Sequence, residues 1–463
     1  MVHGIQIRYG ESRNGQGSLE GCPPPAPGTP PTGGDAQLRQ RIELRGGSRR
    51  VDARPGVTRP TGGRLRPVDR SAADVPTYCA TLGQAVSRAW SAADRQDGAL
   101  PEVAARALAE VDVPAGVTSS GILEWAAATA DLPPQSRRSD PFGQPPLVLH
   151  YEDDFFIQAL IWMEGTTAIH DHSFCGAFMV LEGASLQVTY DFEPADRLAD
   201  DRLVVGDLVS DQPEVLRPLD IRPIEPGGGF IHALFHLERP TVTIVVRNSA
   251  CALPYPQYEY LRPGLGWNSL WEDRTWSKRL QSIRTLEVLD PASARRTVRE
   301  LVTGGASLWE AFLLVEHWSS THRWNESTAD LVECLGARNG ALADVLGNAL
   351  EQQVFVRKIL MRRGMLHALQ HRALLALLAN LPDAPSVTSV VHQLFPGEDT
   401  GTLLLTWAEE LSGPDLRGVS GLSFADGRLA ELRASPLEGR EQDLLAEIRS
   451  KWGEPRGITG WTA

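Results

Sequence analysis

The feature that most constrains this chain is a run of short strand-like segments between residues 147 and 252, with helical periodicity on both sides. Six stretches have strand length and composition: 147–151, 155–163, 177–181, 185–192, 203–205 and 241–246. Turn formers separate them at Glu182-Gly183, Glu193-Pro194 and 226–229. Short strands at this spacing predict an antiparallel sandwich or barrel.

The flanks read differently. Over 72–130, Leu82, Val86, Ala89 and Trp90, then Val103, Ala107, Leu108 and Val111, then Ile122, Leu123, Trp125 and Ala126 recur at three- and four-residue spacing, the signature of amphipathic helices. Pro101 sits where a helix start tolerates its missing N–H. Pro133-Pro134 and the prolines of 141–146 break the pattern. Beyond Pro263-Gly264-Leu265-Gly266, long amphipathic helices are predicted over 294–301, 308–318, 328–335, 342–360, 366–381 and 402–411. A short hairpin is expected around 422–429, turning at Asp426-Gly427.

At 463 residues the chain asks for two or three domains, taking about 100 to 200 residues for each. Residues 1–70 are rich in Gly, Pro and Arg, with ten arginines between Arg39 and Arg70. Too little apolar surface is available there to offset the entropy of ordering, so a disordered tail is expected. The twin Arg49-Arg50 lacks the apolar stretch that an export signal needs. The expected order is therefore a tail (1–70), a helical bracing segment (71–140), a barrel (141–262) and a helical domain (263–463).

Composition narrows the classes of function. The formal charge of −13 argues against a nucleic-acid-binding surface. No apolar run reaches the roughly 18 residues of a membrane span. Five cysteines, with no CxxC, indicate neither a disulfide framework nor a thiolate zinc site, which fits a reducing cytoplasm. A small molecule is the expected partner, without nucleic acid or membrane, and a homodimer is compatible with the pattern.

Chemistry concentrates in the segment Ile169-His170-Asp171-His172-Ser173, inside the strand-like region. Side chains two apart on a strand share a face, so His170 and His172 can aim at one ion. A further histidine is available after the Gly227-Gly228-Gly229 stretch, on a predicted strand that carries His232 and His236 with equal parity. No helix or Lys-Ser/Thr follows those glycines, so they make a turn and not a phosphate loop. Asp171, of opposite parity, is read as a structural hydrogen-bonding group, and Cys175 as a small buried apolar residue. His367 and His371 are four apart on a predicted helix, but no Glu follows the first and no third ligand is evident, so packing roles are expected.

The segment resembles the first motif of the cupin superfamily, and the Gly-rich turn with its later His resembles the second. Within that superfamily, Ile169-His170-Asp171-His172-Ser173 followed by Phe178-x-x-Leu181-x-Gly183 is most similar to the cysteine dioxygenase and thiol dioxygenase branch. The resemblance covers about residues 147–250. It implies an α+β fold: a cupin-like antiparallel β-barrel (double-stranded β-helix, a jelly roll), flanked here by N-terminal helices and a C-terminal all-helical domain. The usual motif has a Glu four or five residues after the second His; Gly176 and Ala177 stand there and cannot ligate. That points to a three-histidine site, with His170, His172 and His232 as ligands of Fe(II) and O2 as co-substrate.

Two departures separate this chain from the cysteine-oxidising members: no arginine lies between Ser139 and Ala195, and Cys175 is two residues closer to the second His than the crosslinking cysteine. The expected activity is thus a mononuclear non-haem iron(II) oxygenase or dioxygenase acting on a small anionic or thiol-bearing molecule. Arg247, Tyr151 and Tyr190 are the candidate catalytic groups, Arg247 as a bidentate clamp for an anion, and His150 is a further candidate donor near the ligands. The alternatives are a non-catalytic ligand-binding barrel with a regulatory or assembly role, and a metal-dependent isomerase or lyase using Zn, Mn or Ni.

Overall fold

The computed structural model describes residues 74–452 except 136–141, 165–166, 199–201, 250–254, 272, 323–325, 339–342 and 436–439. The expected tail (1–70) and two of the five cysteines, Cys22 and Cys251, lie outside the described residues.

Among the described residues three helices come first, α1 (Asp74–Ser91), α2 (Leu100–Glu110) and α3 (Ser119–Ala128). Pro101 occupies the first turn of α2, and the Thr118 side chain caps α3 by accepting from the Gly121 N–H. Twelve strands follow: β1 (Pro146–Tyr151), β2 (Phe155–Trp162), β3 (Ile169–His172), β4 (Gly176–Glu182), β5 (Ser185–Leu198), β6 (Leu203–Ser210), β7 (Glu214–Leu216), β8 (Ile221–Ile224), β9 (Gly227–His236), β10 (Thr241–Asn248), β11 (Tyr258–Leu261) and β12 (Leu265–Asn268). The helices after them are α4 (Arg274–Leu289), α5 (Pro291–Glu300), α6 (Leu308–His322), α7 (Glu326–Arg338), α8 (Ala343–Arg363), α9 (Leu369–Asn380), α10 (Ala384–Leu394), α11 (Thr400–Ser412), α12 (Arg417–Ser420), α13 (Arg428–Ala434) and α14 (Arg440–Trp452). Asp273, Asp290, Asp383 and Asp399 cap α4, α5, α10 and α11 through their side chains.

The strands form two antiparallel sheets, ordered β1-β2-β10-β4-β8 and β6-β12-β11-β3-β9-β5-β7, with β5 also pairing β6 so that six strands close a ring. The α+β architecture read from the sequence, an antiparallel barrel between two sets of helices, is the one observed. Its faces sort by strand parity. Phe155, Ile157, Ala159 and Ile161 of β2 face outward into a core shared with α1 to α3. Phe178, Val180 and Val245 from one sheet meet Leu234 from the other, filling the interior. Ile169, Val188, Tyr190, Ile231 and Phe235 face the other way, into a core built with α8 to α11 and α14.

Several elements differ from expectation. The glycines at 227–229 open strand β9 itself, and Gly227, with φ +60°, pairs with His172. The strand pattern continues past Pro263-Gly264, which turns the β11–β12 hairpin. Residues 422–429 pair as no hairpin: Gly427, at φ +80°, precedes α13 as its N-cap, so the Asp-Gly signal served a helix start.

Candidate metal centre

Strand register assembles the site. His170 of β3 pairs directly with His232 of β9, and His172 lies two residues along the same face of β3. The three rings stand 4.7 Å (170 to 172), 4.8 Å (170 to 232) and 5.0 Å (172 to 232) apart between centroids. One ligand atom from each lies within 4.8 Å of the others, so the cluster could hold a metal ion. All three are buried.

Burial is also the leading cause of their titration behaviour, because an apolar setting penalises the imidazolium form. His170 is lowered to about 4. His172 is lowered well below the usual histidine range, by burial first and then by the charge of His170, with Arg247 contributing. His232 follows the same direction for burial and its histidine neighbours. At neutral pH the cluster therefore presents three neutral rings, the form that ligates a metal.

Neighbouring acceptors orient the rings. Nδ1 of His170 lies 2.9 Å from the Ala168 carbonyl oxygen, and Nδ1 of His232 lies 3.3 Å from Oε1 of Gln187. Each contact commits Nδ1 as donor and leaves Nε2 as the lone pair. The His172 ring has the Phe230 backbone as its hydrogen-bond partner, while its Nδ1 is buried with no partner among the described residues, as fits a nitrogen kept for an ion. Nitrogen donors of this kind suit zinc, copper, iron or nickel. No carboxylate can join from position 176: a Cβ on Gly176 would stand 2.0 Å from the Val246 carbonyl oxygen.

Phenylalanines wall the triad. Phe142 is 5.3 Å from His170, Phe174 is 5.0 Å from His172, and Phe230 is 4.5 Å from His232, with Phe178 6.0 Å from the same ring. Arg247 lies beside this wall: its guanidinium carbon is 3.5 Å from the Phe174 ring centre and 5.2 Å from that of Phe156. Tyr151 shares that row, since it pairs with Phe156 and Phe156 with Arg247, and its side chain is exposed at the rim.

The other candidates lie elsewhere. Tyr190 pairs with Ile231, one residue out of step with the Thr189–His232 pair, so its ring faces the C-terminal helices and not the triad. His150 points outward, and a Cβ on Gly83 of α1 would meet its ring at 2.3 Å. His236 is fully buried inside the barrel but outside the cluster, with Nδ1 2.8 Å from the Ser185 hydroxyl and its ring stacked on Trp162 at 4.5 Å. Asp171 accepts from the Tyr258 N–H and the Tyr260 hydroxyl, at 2.6 and 2.9 Å. Burial raises its carboxyl to about 6 against the pull of those bonds. Cys175 belongs to the core against α1 to α3. His371 meets Glu410 at 2.7 Å, and His367 meets Arg239 at 2.8 Å.

Two residues near the triad went unread in the sequence. Gln187 is buried on β5 and links His232 to Glu214, donating to Glu214 Oε1 at 2.9 Å. Glu259 of β11 pairs directly with His170, and burial, followed by the charge of Glu316, raises it to about 7. Only the register of distant strands brings either residue there.

No family model matches the chain. No curated protein matches it. Among solved structures it is similar to a cupin-2 domain protein from Shewanella frigidimarina (18% identity, 22% of this chain and 79% of that one, TM-score 0.15). Further similarities are to hydroquinone 1,2-dioxygenase from Sphingomonas sp. (12%, 24% and 70%, TM-score 0.19) and a DMSP lyase from Ruegeria pomeroyi (17%, 34% and 75%, TM-score 0.19). At these identities and TM-scores they assign neither a substrate nor a metal to the present chain.

Proposed function

We propose that the chain is a cupin-type mononuclear iron(II) oxygenase acting on a small anionic or thiol-bearing molecule, with His170, His172 and His232 as the metal ligands. The observation that carries this reading is the cluster of three buried imidazoles, all neutral at pH 7, with no carboxylate among them. Ferrous iron held by these three neutral ligands would keep its full positive charge, attract an anionic group and supply redox chemistry toward dioxygen.

The chain's own residues bind and orient. Arg247, stacked on Phe174 beside His172, offers its guanidinium to the anionic group of an entering molecule. Phe142, Phe174, Phe178 and Phe230 exclude water from the space over the triad, which strengthens that charge pairing. The Ala168 carbonyl and Gln187 hold the rings of His170 and His232 in place. Tyr151, at the rim, can hydrogen-bond a substrate as it enters.

A small-molecule substrate, a cytoplasmic location and a homodimer, with no role for nucleic acid, complete the proposal. Among the described residues no helix is long and apolar enough to cross a membrane. The test is metal analysis joined to oxygen uptake. Oxygen consumption that needs both iron and a small anion or thiol supports the reading. Iron binding without oxygen consumption favours the ligand-binding or lyase alternatives.

A further inference from the structure

The end of the barrel opposite Arg247 carries more positive charge than the residues around it neutralise. Arg363, at the end of α8, and Arg372, in the first turn of α9, are both buried. Both donate to the carbonyl oxygen of His236, at 3.2 and 3.0 Å. Arg372 also donates to the Leu237 carbonyl at 2.8 Å and reaches Glu164 Oε2 at 3.4 Å. Arg239, between β9 and β10, lies 2.6 Å from Glu164 Oε1. Two guanidiniums thus meet one carboxylate, and the third, that of Arg363, is near enough to feel its charge.

Arg363 is the least satisfied of the three. Its Nε and Nη1 find no hydrogen-bond partner among the described residues, and its guanidinium carbon stands 4.7 Å from the Phe235 ring centre. Burial, then the charges of Arg372 and Arg239 against that of Glu164, brings it down only to about 9, so it remains a cation at neutral pH. Buried charges are normally paired and buried donors normally bonded. Arg239 keeps 31% of its side chain exposed, with its Nη1 also 2.8 Å from His367 Nδ1, so one member of the cluster touches solvent.

We propose that Arg239, Arg363 and Arg372 form a binding site for a small oxyanion, a phosphate or carboxylate group, separate from the histidine triad. The open donors of Arg363 and the solvent-facing Arg239 suit the oxygens of such a group. Because the site joins β9 and the β9–β10 turn to α8 and α9, an occupant ties the C-terminal helices to the barrel and stabilises the folded chain by linkage.

The test uses the full, metal-free chain and does not depend on the proposed activity. Thermal unfolding and calorimetric titration are run with inorganic phosphate, with succinate, and with sodium chloride at matched ionic strength. Phosphate or succinate should raise the melting temperature with dose while chloride does not, and the more effective of the two identifies the ligand class. Arg239→Ala, at a partly exposed position, should weaken that binding about tenfold or more, and Arg363→Met should abolish it. Should Arg363→Met fail to fold, Arg239→Ala decides. Equal shifts with all three salts, or unchanged binding in Arg239→Ala, would overturn the proposal.

Discussion

Gln187→Leu separates the support of the triad from the triad itself. Gln187 is fully buried; its Oε1 faces His232 Nδ1 at 3.3 Å and its Nε2 donates to Glu214. Leucine has nearly the same shape but accepts nothing, so the Nδ1–H of His232 is left buried and unmet. Glu214 keeps its bond from Arg222 Nε at 2.9 Å, so the damage centres on His232. A buried donor without a partner costs about 1–3 kcal/mol of stability. Loss of the group that orients a metal-binding histidine lowers metal affinity by about 10- to 100-fold, or about 1.4–2.7 kcal/mol. Competition against a chelating dye gives the affinity, and urea unfolding of the metal-free chain gives the stability. A metal affinity equal to wild type, with only stability lost, would refute the role given to Gln187 and weaken the assignment of His232 as a ligand.

Other outcomes follow from the same geometry. Gly176→Ala drives a Cβ into the Val246 carbonyl at 2.0 Å and against Arg247 Cα at 2.9 Å, so the β4–β10 pairing must open; chemical denaturation should show a loss of about 4 kcal/mol or more. Arg247→Leu should raise KM for an anionic substrate by about tenfold or more while leaving metal content unchanged, and equal KM values would remove Arg247 from substrate binding. His236 is held well below its ordinary value of 6.5, by burial first and then by Arg363 and Arg372. Its neutral form is favoured by folding, so the stability it contributes is present above pH 6.5 and is lost as pH falls below that value. Urea midpoints of the metal-free chain at pH 7.5, 6 and 5 should fall in that order, less steeply in His236→Gln; equal slopes would contradict the reasoning.

Sequence and structure agree where a local signal is strong. Residues 155–162 are largely apolar and 241–246 are rich in β-branched residues, and they fall in β2 and β10, neighbours in the first sheet. Strands of three or four residues escape periodicity: β7, β8 with Pro223 inside it, and β12 with Gly266 offer too few positions to show alternation. Register is the second hidden quantity. Chain position alone makes Tyr190 a candidate, yet a one-residue offset in parity turns a side chain to the opposite face, and Thr189 is the residue paired with His232. Gln187 reaches His232, and Glu259 comes to pair with His170, from strands whose pairing no local pattern reveals. The Ile169 to His172 segment carried its own parity, so its two imidazoles could be placed on one face before any partner strand was known.

The central claim is that His170, His172 and His232 hold one metal ion. Metal content after anaerobic iron loading, compared between the wild-type chain and His172→Ala with circular dichroism confirming the fold, tests it most directly. The account predicts one iron per wild-type chain and almost none in the folded variant. Full iron occupancy in His172→Ala would contradict it.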